Sequence, residues 1–180
     1  MKDDFVPDMY DKIEEESSGL GDLLGKIPGF SGYMERSRRR EADQILRESM
    51  SANLEESRLQ LSAVHQELGR DIIKAIDFAE PLGRADTRLM GLIGKIRDAP
   101  QGYAGFFDAV KIKEDDLAEI YAFDESMLAY CDQIAVDIAA LEKATADDED
   151  IGGAIRILDL TLREANTAFG ERQDLLSGVG

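Results

Sequence analysis

Apolar positions along this chain recur in steps of three, four and seven over long proline-free stretches, the spacing of one face of an α-helix. The longest such stretch begins after Gly32. From Tyr33 to Ala79 there is no proline and one glycine, Gly69, and the stripe reads Leu46, Met50, Leu54, Leu61, Val64, Leu68, Ile72, Ala75 and Ala79. A helix of that length spans about 70 Å, more than an average globular domain is wide. Pro81 and Gly83 interrupt the pattern, yet the stripe keeps its phase through Ala79, Leu82, Leu89 and Ile93. A Pro-kinked continuation and a true turn both fit that spacing. Ala99-Pro100-Gln101-Gly102 ends the element.

Two further helices follow. From about Glu114 to Thr145 the stripe is Leu117, Ile120, Tyr121, Leu128, Cys131, Ile134, Ile138 and Leu141, with Glu114, Asp115 and Asp116 at the positive end of the helix dipole. After Asp147-Asp148-Glu149-Asp150, a last helix carries Ile151, Ile155, Leu158, Leu162, Ala165 and Phe169 at near-heptad spacing. No strand pattern is present. The reading is an all-α, elongated bundle of three or four main helices with coiled-coil-like packing and one long helix that either kinks or turns at Pro81. Residues 1–32 read as a flexible acidic arm with a short amphipathic segment, 33–177 as the bundle, and 178–180 as a disordered tail. The third and fourth helices are shorter than the first. Its surplus stripe residues, Leu46, Met50 and Leu54 or their counterparts near Ile93, are therefore expected to stay uncovered in one chain and to join two copies.

Charge sharpens this picture. The formal net charge is −17, from 38 acidic and 21 basic residues, which disfavours nucleic acid as a partner because phosphate must be met by a basic face. The distribution is uneven. Residues 114–150 hold thirteen acids against Lys143, a net of −12, whereas residues 26–47 hold six bases against three acids, a net of +3. Within the second segment lie Arg36, Arg38, Arg39 and Arg40, near the start of the long helix where its dipole disfavours cations. Such a placement calls for an anion, from an acidic segment of this chain, another copy, a protein partner or an anionic membrane surface. Solvated faces are the plain alternative. Just before the cluster, Leu20, Leu23, Leu24 and Ile27 make an amphipathic turn leading into Phe30, and apolar insertion beside a polybasic run is one way peripheral proteins read anionic lipid. A second aromatic patch, Tyr103, Phe106 and Phe107, is either a cap on the bundle end or an exposed contact site.

Candidate chemistry is sparse. His65 is the only histidine, too few for a paired Glu-x-x-His di-iron bundle or a His-Glu-x-x-His zinc site, and it reads as a structural or surface residue. The lone Cys131 excludes an intrachain disulfide and reads as a small buried filler. Neither a Walker loop nor a Gly-x-Ser-x-Gly elbow occurs. A frame beginning at Asp148 tracks a calcium loop through Asp150 and Gly153, but Gly152 stands at the fifth position and the shorter Asp159 at the twelfth. These acids read instead as caps for the last helix. Asp124 falls near the apolar stripe and should pair with Arg, bond Tyr or face water. No cofactor and no metal are expected.

No apolar run approaches the roughly 18–20 residues of a membrane span, the first residues lack a secretory core, and the expected location is cytoplasmic. In outline, long helical hairpins with an amphipathic N-terminal segment resemble bacterial membrane-remodelling coiled-coil proteins of the phage-shock class, a likeness that carries no functional residue across. The function expected first is a non-enzymatic interaction or scaffold protein that self-associates through the long helix. A peripheral membrane-surface regulator docking through Leu20–Arg40 is second, and a ligand-binding helical bundle third.

Overall fold

The computed structural model describes residues 39–99 and 114–178, with side chains from 44–99 and 123–171. Four helices occupy them: α1 (Arg39–Leu68), α2 (Ile72–Asp98), α3 (Glu114–Asp147) and α4 (Ile151–Gly178). The chain is an all-α helical bundle. It divides into two compact units, one of Met1–Ser49 with Pro100–Glu125, the other of Met50–Ala99 with Ser126–Gly180. In the first, Leu46, Arg47 and Asp124 are buried.

The second unit is built on heptad spacing. Leu61, Val64 and Leu68 continue the α1 stripe from Met50 and Leu54, while α2 contributes Leu82, Ala85, Leu89, Leu92 and Ile96. On α3 the buried set is Met127, Cys131, Ile134, Ile138 and Leu141, and on α4 it is Ile151, Ile155, Leu158, Leu162, Ala165 and Phe169. Each set alternates steps of three and four, with buried Ser57 filling the step between Leu54 and Leu61 on α1, which keeps one seam of every helix facing the interior. Met127, one position before the expected Leu128, carries the α3 seam, and Leu128 is half-buried.

Where the long helix was expected to continue or kink at Pro81, the chain turns twelve residues earlier. The last turn of α1 tightens as Arg70 N donates to Glu67 O and Asp71 N to Leu68 O. Asp71 then adopts extended geometry and accepts from Ile73 N (2.9 Å) and Lys74 N (3.3 Å), satisfying two of the amides that open α2. Pro81 lies inside α2. The proline was the louder signal and the Gly-Arg-Asp turn the stronger one, because a glycine followed by an N-cap satisfies backbone groups on both sides of the break. The second expectation overturned concerns the stripe. Leu46, Met50 and Leu54 are each 2% exposed or less, and Ile93 is buried too. Splitting the long element into a hairpin sets α2 antiparallel to α1, with Arg58 paired to Asp86 and Glu55 to Arg97, and the stripe residues expected to stay uncovered are buried.

The turn between α3 and α4 is also fixed by local bonds. Asp148 takes a positive φ of 56° and Glu149 N donates to Ala144 O, closing α3 with a Schellman-type cap. Asp150 opens α4 by accepting from Gly153 N at 2.9 Å. Directions follow from cross-links. Arg88 pairs with Asp159 and Lys95 Nζ donates to Asn166 O, partners separated by the same 71 positions, so α2 and α4 run parallel and pack side by side. Asn166 Nδ2 also donates to Arg88 O at 3.1 Å.

Candidate functional site

Exposed large apolar side chains, not buried chemistry, distinguish the surface of the second unit. Two groups stand out. The first lies where α1 and α2 run alongside each other. Leu59 is 74% exposed and Met90 49%, and they flank a groove of about 500 Å³ whose lining also includes Ile93, Gly94 and His65. Two cross-helix ion pairs border it: Arg58 Nε to Asp86 Oδ1 at 2.8 Å, and Arg97 to Glu55. Asp86 raises the Arg58 pKa, chiefly by accepting its hydrogen bond. Glu55 and Asp86 against Arg58 and Arg97 make the border electrically neutral on a chain of net charge −17.

The heptad seam explains this arrangement. Leu61 faces the core, so Leu59, two residues away, is rotated by about 200° to the outside. Solvent-facing helix positions are ordinarily polar. Leu59 between Arg58 and Gln60 breaks that rule.

The second group sits at the start of α2. Ile72, Ile73 and Ile76 are 77%, 71% and 75% exposed, within one arc of about 100° on the helix. Elsewhere in the second unit, Val136, Ile157 and Leu160 are exposed on α3 and α4.

Residues weighed for catalysis or metal binding are held in structural roles. Asp148 bonds Lys74 Nζ at 2.6 Å and thereby raises that ammonium's pKa. Asp150 caps α4, as the capping reading required, and Asp159 pairs with Arg88. The calcium-loop frame is thus dispersed over three different partners. Among the described residues no three His, Cys, Asp or Glu side chains stand together as metal ligands. His65 is exposed on the groove. Cys131 is buried and free, and burial, helped by Asp132, pushes its thiol up to about 12.

One buried carboxylate escaped the sequence reading. Asp137 is 4% exposed and accepts from Gln133 Nε2 at 2.8 Å and Thr161 Oγ1 at 2.6 Å. It ties α3 to α4. Its place beside Ile138 on the seam was the available signal, together with Thr161 beside Leu162.

Of the residues proposed from sequence, Arg39 and Arg40 open the first turn of α1. Leu20, Leu23, Leu24, Ile27, Phe30, Arg36, Arg38, Tyr103, Phe106 and Phe107 lie outside the described residues. Among the described residues no helix is long and apolar enough to cross a membrane. No family model matches this chain, and neither a curated protein nor a solved structure matches it.

Proposed function

We propose that this protein is a non-enzymatic helical interaction protein that self-associates through α1, along the face carrying Leu59 and not the buried stripe of Met50 and Leu54. The observation that carries the reading is the neutral, partly apolar groove between α1 and α2. A chain of net charge −17 repels its own copies. Two copies can therefore meet only where the local charge is balanced. The border of Glu55, Arg58, Asp86 and Arg97 supplies two charges of each sign around Leu59 and Met90. Such a border is self-complementary: a two-fold axis through the groove sets acids of one copy opposite bases of the other, in an isologous contact.

Burying Leu59 and Met90 in each copy contributes about 1.5–3 kcal/mol per fully covered side chain, against several kcal/mol of lost rigid-body freedom. The balance leaves at best a dimer of micromolar strength that responds to concentration. Sedimentation of the whole chain tests this. Wild type should shift from monomer to dimer with concentration, and Leu59→Glu should remain a folded monomer throughout. A wild type that stays monomeric at high micromolar concentration removes the proposal. So does a Leu59→Glu variant that dimerises as wild type does.

A further inference from the structure

Six methionines occur in the chain, and Met50, Met90 and Met127 lie among the residues whose side chains are described. Met50 and Met127 are sealed in the core at 2% and 0% exposure, whereas Met90 is 49% exposed. Cys131, the chain's one thiol, is buried, and burial keeps it neutral far above neutral pH. The thiolate is the form that an oxidant attacks, so this sulfur is shielded both by its neighbours and by its protonation. A thioether needs no ionisation and reacts wherever an oxidant reaches it. Among the described residues, Met90 is therefore the sulfur open to an oxidant in water.

The place of Met90 gives that reactivity a consequence. It lines the α1–α2 groove together with Leu59, Ile93 and Gly94, inside the border of Glu55, Arg58, Asp86 and Arg97. As a thioether it is a flexible apolar side chain that a second copy can cover. As a sulfoxide it carries a strong hydrogen-bond acceptor. Both border guanidiniums are already held, Arg58 by Asp86 and Arg97 by Glu55. In an open groove the sulfoxide oxygen is met by water, and a second copy covering the groove strips that water away. We propose that Met90 is a modification site for peroxide, and that its sulfoxide switches off self-association through the groove. The inference rests on the self-association reading. In the step, the Met90 sulfur gives an electron pair to one peroxide oxygen. The O–O bond breaks, an S–O bond forms, and the other oxygen leaves as water, so the sulfur is oxidised and the peroxide reduced. Covering the groove in turn hides the sulfur, and the dimer slows its own oxidation.

The test treats the full chain with hydrogen peroxide, maps it by peptide mass spectrometry and sediments it over a range of concentrations. Met90 should gain one oxygen before Met50 and Met127 do, and more slowly as protein concentration rises. The oxidised chain should associate about tenfold or more weakly than the untreated one. Met90→Leu keeps an apolar side chain of similar size, so it should dimerise before and after treatment. Met90→Gln should associate as weakly as the oxidised chain without treatment, with its fold verified by circular dichroism. Methionine sulfoxide reductases, with dithiothreitol as electron donor, should restore association of the oxidised wild type. Oxidation of Met90 no faster than that of the two buried methionines would overturn the proposal. So would an oxidised wild type that associates as the untreated chain does, or a Met90→Leu chain that loses association on treatment. An untreated wild type that stays monomeric removes the self-association reading itself, and the switch with it, whatever the peptide map shows.

Discussion

At the scale of single residues, two adjacent glycines in α4 have opposite roles. A Cβ on Gly153 would collide with Asp150 Oδ2, the carboxylate whose other oxygen caps the helix, whereas one on Gly152 meets only the Arg156 guanidinium at 3.4 Å and Phe78 at 3.7 Å. Gly152→Ala should therefore gain the helix propensity of alanine, and Gly153→Ala should forfeit that gain by displacing the cap. Thermal denaturation is expected to place Gly153→Ala below Gly152→Ala by about 1 kcal/mol or more. Cys131 gives a second residue-level expectation, this one in pH. The thiol is neutral in both states below its usual value of 9.0 and, in the folded chain, stays neutral up to about 12. Between those values only the unfolded chain ionises, so unfolding releases a proton and stability falls as pH rises. The slope approaches about 1.4 kcal/mol per pH unit. Cys131→Ala should lack that component, and denaturant melts of the two proteins from pH 8 to 11 would show it. Parallel pH profiles would mean that the thiol is not shielded.

At the scale of elements, much of the fold was legible because one rule generates it. Alternating steps of three and four reveal a seam wherever a helix buries one side, and Ile151 to Phe169 is visible in sequence and buried in fact. The stop signals were harder. A proline in a helix leaves its i−4 carbonyl without a partner, but a helix anchored on both sides tolerates the loss, as α2 does at Pro81. Gly69 and Asp71 mark the real break through bonds that a hydrophobic stripe does not record. The candidate site was hidden for a related reason. Leu59, Ile72, Ile73 and Ile76 are ordinary apolar letters, and exposure depends on which side of each seam they fall. Ile72 falls on the sequence stripe only when that stripe is carried through the turn at Gly69–Asp71. Pro81→Ala should restore a backbone donor to Asp77 O and raise stability by about 1 kcal/mol or more. A lower melting temperature would show that packing requires the proline.

At the scale of the molecule, the proposed self-association depends on where a highly acidic chain can tolerate company. Its net charge of −17 disfavours self-contact, and the α1–α2 groove combines exposed apolar area with zero border charge. With the α1 stripe buried, the proposed association surface lies on the opposite side of the same helix. The most direct measurement is disulfide trapping. In a Cys131→Ala background, Leu59→Cys places single thiols beside the proposed two-fold axis, and Val136→Cys places one at another exposed position, on α3. Mild oxidation at micromolar concentration should cross-link the Leu59→Cys chain into a dimer and leave the Val136→Cys chain largely monomeric. Equal cross-linking at both positions, or none at Leu59→Cys, would contradict self-association through this face.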